Sequence, residues 1–132
     1  MYRIWLFLAG LSGCAALIAA SYAAHGLTGI AAPAMKNYET ASLQHVLHSI
    51  AMAIAAGLLI ASDGRRSGFG TLVLNLSAFA FLAGIILFSG SLYYEVLRGA
   101  QNFRQFVPVG GSLLMAGWVA LALSALGIGR GG

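Results

Sequence analysis

Acidic residues are nearly absent from this chain, with three Asp and Glu among 132 residues beside seven Lys and Arg. Charged residues make up 8% of it and apolar residues 60%. A soluble domain carries about 25% charge, so the polar surface needed to fold in water is missing. The one cysteine, Cys14, excludes an intrachain disulfide and any CxxC dithiol relay. It lies mid-way through an apolar stretch and reads as a small packing residue. The basic residues are scattered over connections and ends, with no basic stripe and no interleaved aromatic platform, which argues against nucleic acid as a partner. Scattered cations at the ends of apolar stretches suit a lipid bilayer with anionic headgroups.

What the chain has instead is four long apolar stretches, about Ile4–Ala24, Ala41–Ser62, Phe69–Tyr94 and Pro108–Ile128. A helix rises ~1.5 Å per residue, so roughly 20 apolar residues cross the ~30 Å hydrocarbon core. Backbone groups in lipid must be satisfied within the span. The expected fold is therefore all-α, an integral membrane four-helix bundle running up-down-up-down in a single domain over residues 1–132. Arg3, the first apolar run and Ser21-Tyr22-Ala23 imitate a signal peptide, but the run exceeds the usual length and reads as an uncleaved first helix. Asp63–Gly68 is a tight polar hairpin, and Pro33 is well placed to open a short interfacial helix leading into the second span. Leu97–Val107 reads as an interfacial segment; Tyr2, Trp5, Tyr93 and Tyr94 suit aromatic belts. Four cations (Arg3, Arg65, Arg66, Arg130) lie on the side of the termini against three (Lys36, Arg98, Arg104) on the other, which places both termini in the cytoplasm.

In that topology the chemistry-bearing residues collect on the side away from the termini. His25, His45, His48, Ser89, Ser91 and Glu95 all fall there. His45 and His48 lie three apart, roughly on one helical face, and His25 ends the first span at a similar level. Ionisable groups in a span turn into the bundle, where they either serve a function or lock helices together by hydrogen bonds. We expect His25 and His48 to meet the Ser89–Ser91 segment as a ligand site or polar lock, with His45 and Glu95 nearby. The pattern calls for no cofactor; a metal ion or a bis-histidine haem on His25 and His48 is the alternative. Glu95 and Arg98 at i, i+3 are expected to pair, and Asn75 and Ser77 to cap or bridge helices. No nucleophile, base and orienter can be assembled, so no catalytic residue is assigned and an enzyme is not expected.

Small residues recur at helical spacing: Ser12, Ala16, Ala20 and Ala24; Ala53, Gly57 and Ala61; Ala80 and Gly84; Ser112, Ala116, Ala120 and Ser124 beside Gly110, Gly111 and Gly117. Between spans the packing force comes from close backbone approach over such ladders. They are expected to pack within the chain, with one ladder facing a second protomer or a partner as the alternative.

An ordered set of short elements carries a family resemblance: Ala24-His25-Gly26-Leu27, Glu39-Thr40-Ala41 with His48-Ser49-Ile50-Ala51, Leu87 through Tyr93, and Pro108-Val109-Gly110-Gly111 with Ala116-Gly117-Trp118. Together they resemble the YwdK/YgdD family of small bacterial inner-membrane proteins, a domain of unknown function with a eukaryotic transmembrane relative. The resemblance implies a four-helix inner-membrane protein without an assigned activity, and its pattern maps onto His25, His48, Ser89, Gly90, Ser91, Pro108, Gly110, Gly111 and Trp118. His45 and Tyr22-Ala23 depart from it. Small multidrug transporters have a similar size but use a carboxylate in their first helix, which is absent here. The expected function is a structural or accessory membrane protein, as a homo-oligomer or a small subunit of a complex. The alternative is a proton- or small-ligand-handling protein using the histidines.

Overall fold

A computed structural model describes residues 2–62 and 67–127. It contains α1 (Tyr2–His25), α2 (Ala32–Ser62), α3 (Gly68–Arg98) and α4 (Phe106–Leu123), the last continued by a 3₁₀ turn over Ser124–Gly127. No strand occurs among the described residues. All four helices are long and apolar enough to cross a membrane, the fourth counted with its 3₁₀ turn. The protein is an all-α membrane bundle. The hairpin residues Asp63, Gly64, Arg65 and Arg66 and the end from Ile128, with Arg130, lie outside the described residues.

The helices extend past the apolar stretches. α2 is one continuous helix from Ala32, with Pro33 in its first turn, where a missing N–H leaves no bond unmade. At ~1.5 Å per residue its 31 residues are longer than the bilayer core requires, and the polar Lys36-Asn37-Tyr38-Glu39 segment precedes its apolar stretch. α3 runs on to Arg98 and stops at Gly99, which takes φ 64 as a left-handed C-cap. Its start is capped by the Ser67 hydroxyl, which accepts from the Gly70 N–H.

Packing follows chain order: α1 lies on α2, α2 on α3 and α3 on α4. The two central helices hold most of the core, including Met52, Ala55, Leu74, Ala78 and Phe81, whereas α1 buries only Ala9 and Ala16. The flanking helices consequently present Phe7, Leu11, Leu17, Ile18, Met115 and Val119 outward, as lipid requires. Across the bundle, Trp5 donates to Asn75 Oδ1 at 2.9 Å, and Ser77 donates to the Gly117 carbonyl at 2.8 Å. Asn75 and Ser77 of α3 thus both bridge helices.

The α3–α4 seam is built on glycine. A side chain on Gly110 would run into the backbone of Leu87 and Phe88, one on Gly84 into Leu114, and one on Gly117 into the Phe81 ring. The ladder expected from Ser112 and Ala116 points elsewhere: both residues are exposed, and Ser112 bonds back to the Pro108 carbonyl. The face of α4 that meets α3 runs instead through Gly110, Leu114, Gly117 and Ser124, since these are its buried positions. On α1 the ladder does face α2, with Ser12 bonded to Ser49 and Ala16 fully buried.

Candidate functional site

α2 carries two buried imidazoles that reach in different directions. His45, 8% exposed, lies between α1 and α3; His48, 6% exposed and about one turn further on, meets α3 and α4. Each uses both ring nitrogens. His48 Nδ1 lies 2.7 Å from the Gln44 carbonyl, and the Trp118 indole N–H donates to its Nε2 at 3.1 Å. A carbonyl only accepts and an indole only donates, so His48 carries its proton on Nδ1 and is neutral. Its ring also packs on Phe81 and Trp118, at centroid distances of 5.7 and 6.1 Å.

His45 belongs to a chain of hydroxyls. Its Nδ1 is 3.1 Å from the Tyr93 hydroxyl and its Nε2 is 3.1 Å from Ser12 Oγ. Ser12 Oγ is 2.7 Å from Ser49 Oγ, and Ser49 donates to the His45 carbonyl at 2.8 Å. With that hydrogen committed, Ser12 must donate to Ser49 and accept from His45 Nε2–H. Tyr93 then donates to Nδ1. With a neutral imidazole, one proton order satisfies every contact: Tyr93 to His45 to Ser12 to Ser49 to the His45 carbonyl. Tyr93 reaches this level because its side chain leans back toward the start of α3, and its ring packs on Tyr38 at 5.0 Å.

The other residues singled out from sequence are distributed around this core. Ser89 is fully buried and donates to the Ala41 carbonyl at 2.8 Å, tying α3 to α2 without touching an imidazole. Ser91 lines a separate groove with Gly90, Tyr94, Phe103 and Phe106. His25 is exposed and lines an open groove with Cys14, Ser21 and Tyr22 along α1, sharing no hydrogen bond or ring contact with His45 or His48. Among the described residues, no three His, Cys, Asp or Glu side chains come together as a metal-holding group.

Glu95 pairs with Arg104, at 3.5 Å, and not with Arg98 as its spacing suggested. Gly99 ends α3, and the turns through residues 101–105 fold Arg104 back over the carboxylate, while Arg98 stays exposed. Ser12, Ser49 and Trp118 complete the polar core although spacing alone did not assign them to it. Ser12 was readable only as part of a small-residue ladder. Their signal is a polar atom deep in an otherwise apolar span.

Three comparisons bear on the chain. The family model described as protein of unknown function (DUF423) matches residues 19–111. A UPF0382 membrane protein of Haemophilus influenzae is 34% identical over 123 residues, covering 92% of this chain and 93% of its own. One from Staphylococcus aureus is 30% identical, covering 92% and 94%. The UPF0382 membrane protein YwdK of Bacillus subtilis is 25% identical, covering 94% and 97%. No solved structure matches.

Proposed function

Because this chain belongs to the DUF423 family, whose relatives are bacterial membrane proteins of unassigned activity, we propose that it is a structural or accessory component of the inner membrane. It acts in this reading as a homo-oligomer or a small subunit of a larger complex. The observation that carries the reading is the saturation of His48. His48 Nδ1 is taken by the Gln44 carbonyl of its own helix, and Nε2 with the ring face holds α2 against α4 and α3, so a metal, haem iron or proton could take Nε2 only by displacing Trp118. Ser77 and Ser89 are spent in the same way, on carbonyls of neighbouring helices. The test is purification from native membrane in mild detergent, with mass spectrometry of the intact assembly and an absorption spectrum. A defined homo-oligomer or a stoichiometric partner is expected; a monodisperse monomer or a Soret band overturns the reading.

The cation distribution supports cytoplasmic termini. Reporter fusions at Arg130 and within the Asp63–Ser67 turn should report the cytoplasm, and a fusion near Lys36 the periplasm. The reverse pattern would defeat this orientation.

A second reading, proton handling at His45, is favoured by one observation. If the Tyr93 hydroxyl turns from donor to acceptor, His45 takes a second proton while keeping both ring contacts. His48 has no such option, since an indole N–H only donates. Tyr93→Phe separates the readings. As a structural lock the bond is worth about 0.6 and at most ~1.7 kcal/mol, and proteoliposome proton permeability should equal that of protein-free vesicles with or without the substitution. A proton leak that Tyr93→Phe abolishes would favour the second reading.

A further inference from the structure

One buried hydroxyl is left out of the helix-locking network. Ser91 is 6% exposed, yet its hydroxyl makes no hydrogen bond among the described residues. Ser49 and Ser112 bond back to the carbonyl four residues earlier in their own helices, and Ser77 and Ser89 reach neighbouring ones. The Ser91 Oγ is not sealed off either. Among the described residues, Glu95 Oε2 is the one buried side-chain polar atom that is both closed off and unbonded, so the Ser91 Oγ, equally unbonded, keeps accessible surface. Ser91 lines a groove of about 300 Å³ formed by α3 at Leu87 and Gly90 and by the rings of Tyr94, Phe103 and Phe106. Gly90 leaves the groove open, since a side chain started there would meet nothing within 4 Å. The aromatic wall is packed: Phe103 stands edge-on to Tyr94 at a centroid distance of 4.8 Å and lies 6.1 Å from Phe106.

We propose that this groove holds the ester end of a membrane glycerophospholipid. The Ser91 hydroxyl donates to an acyl ester carbonyl, and the first methylenes of that chain lie against the three rings. The proposal does not rest on the accessory role argued above. An unmatched hydroxyl in apolar surroundings is costly, and its O–H needs an acceptor. An ordered water wants two to four polar partners, whereas Tyr94 is the one other polar side chain of the lining. An ester carbonyl brings a single strong acceptor on a carbon frame, which matches one hydroxyl among carbon walls. The depth agrees. Ser91 precedes Glu95 by four residues, about 6 Å along the helix, and the Glu95–Arg104 pair stands at the polar end of α3. Glycerol esters lie a similar step below the charged headgroups, at the boundary with the acyl layer. Arg104 follows Phe103 in the chain and is 60% exposed at its side chain, so it keeps N–H donors for the phosphate of the same lipid.

The chemistry predicts discrimination between an ester lipid and its ether analogue, which has no carbonyl. The full chain, purified in mild detergent, is offered an equal mixture of dipalmitoyl phosphatidylglycerol and its dihexadecyl ether counterpart, and the retained lipids are read by native mass spectrometry. The ester should be retained about threefold to tenfold more than the ether, the worth of one net hydrogen bond. Ser91→Ala should erase that preference and leave the fold intact, because the hydroxyl bonds nothing within the protein. Gly90→Leu places a side chain in the groove without touching the rest of the bundle, and should lower retention of both lipids and remove the preference. Equal retention of ester and ether by the unsubstituted chain overturns the proposal, as does a preference that Ser91→Ala leaves unchanged. If Gly90→Leu instead converts an oligomer into monomers, a second copy of the chain fills the groove and the proposal falls. Should Ser91→Ala fail to fold, the two lipids on the unsubstituted chain and on Gly90→Leu decide the matter.

Discussion

Gly110→Ala should pry α4 away from α3, whereas Gly111→Ala, one residue along, should leave the bundle intact. A methyl group on Gly110 meets backbone atoms of Leu87 and Phe88, which cannot rotate aside as a side chain can. On Gly111 its nearest neighbour is the Phe88 ring edge at 3.7 Å, an ordinary contact. Overpacking a core typically costs about 1–3 kcal/mol, and a clash with backbone belongs at the upper end. The exchange at Gly111 removes a helix-interior glycine and should be neutral or stabilise by up to about 1 kcal/mol. The contrast matters because little hydrophobic force acts between spans in lipid, so close approach along this seam holds α4 in place. Detergent-unfolding titrations followed by circular dichroism will decide it. Equal stability of the two variants would mean that the seam opens without penalty.

His48→Ala is expected to destabilise the bundle by about 2–4 kcal/mol, most of it from the cavity left against Phe81 and Trp118. Trp118→Phe removes the indole N–H together with part of the ring that packs on Phe81 and His48, and the lost hydrogen bond should account for about 0.6–1.7 kcal/mol of its cost. In a chain already lacking His48 the same exchange should cost less by the hydrogen-bond share, because the acceptor is gone and only the packing on Phe81 is lost; this is a double-mutant cycle. If Trp118→Phe is equally costly in both backgrounds, the indole–imidazole bond contributes no coupling. His48→Ala should also exceed His45→Ala: the His48 ring packs on Phe81 and Trp118, whereas among the described residues His45 has the single ring neighbour Tyr93.

How far the sequence could be read depends on which coordinate of a residue is asked for. Depth in the membrane was legible. Counting along an apolar run assigns His45, His48, Ser89 and Tyr93 to the side away from the termini, because a helix advances by a constant rise. Rotation about each helix axis was not, since these spans are apolar on every face and carry almost no amphipathic signal. The consequences are visible residue by residue. His25 has a suitable level but lines a groove of α1 beside Cys14 and Tyr22, with no hydrogen bond or ring contact to His48 among the described residues. Ser89 turns to the Ala41 carbonyl and leaves the imidazoles to Ser12, Tyr93 and Trp118. On α4, two regular small-residue rows were equally plausible, and contact with Phe81 and Phe88 selected the glycine row over Ser112 and Ala116.

The sequence by itself determined the class of the protein, its four membrane-crossing helices and its likeness to a family, because these follow from hydrophobic content, run length and ordered motifs. The tertiary structure alone decided which groups meet. The exchange of Arg98 for Arg104 as the partner of Glu95 required a left-handed turn at Gly99 and a loop folding back through space. The neutral tautomer of His48 required an indole from a helix 70 residues away. Such pairings depend on helix rotation and loop path, and in a uniformly apolar span both are set by close packing against neighbours and not by any periodic pattern along the chain.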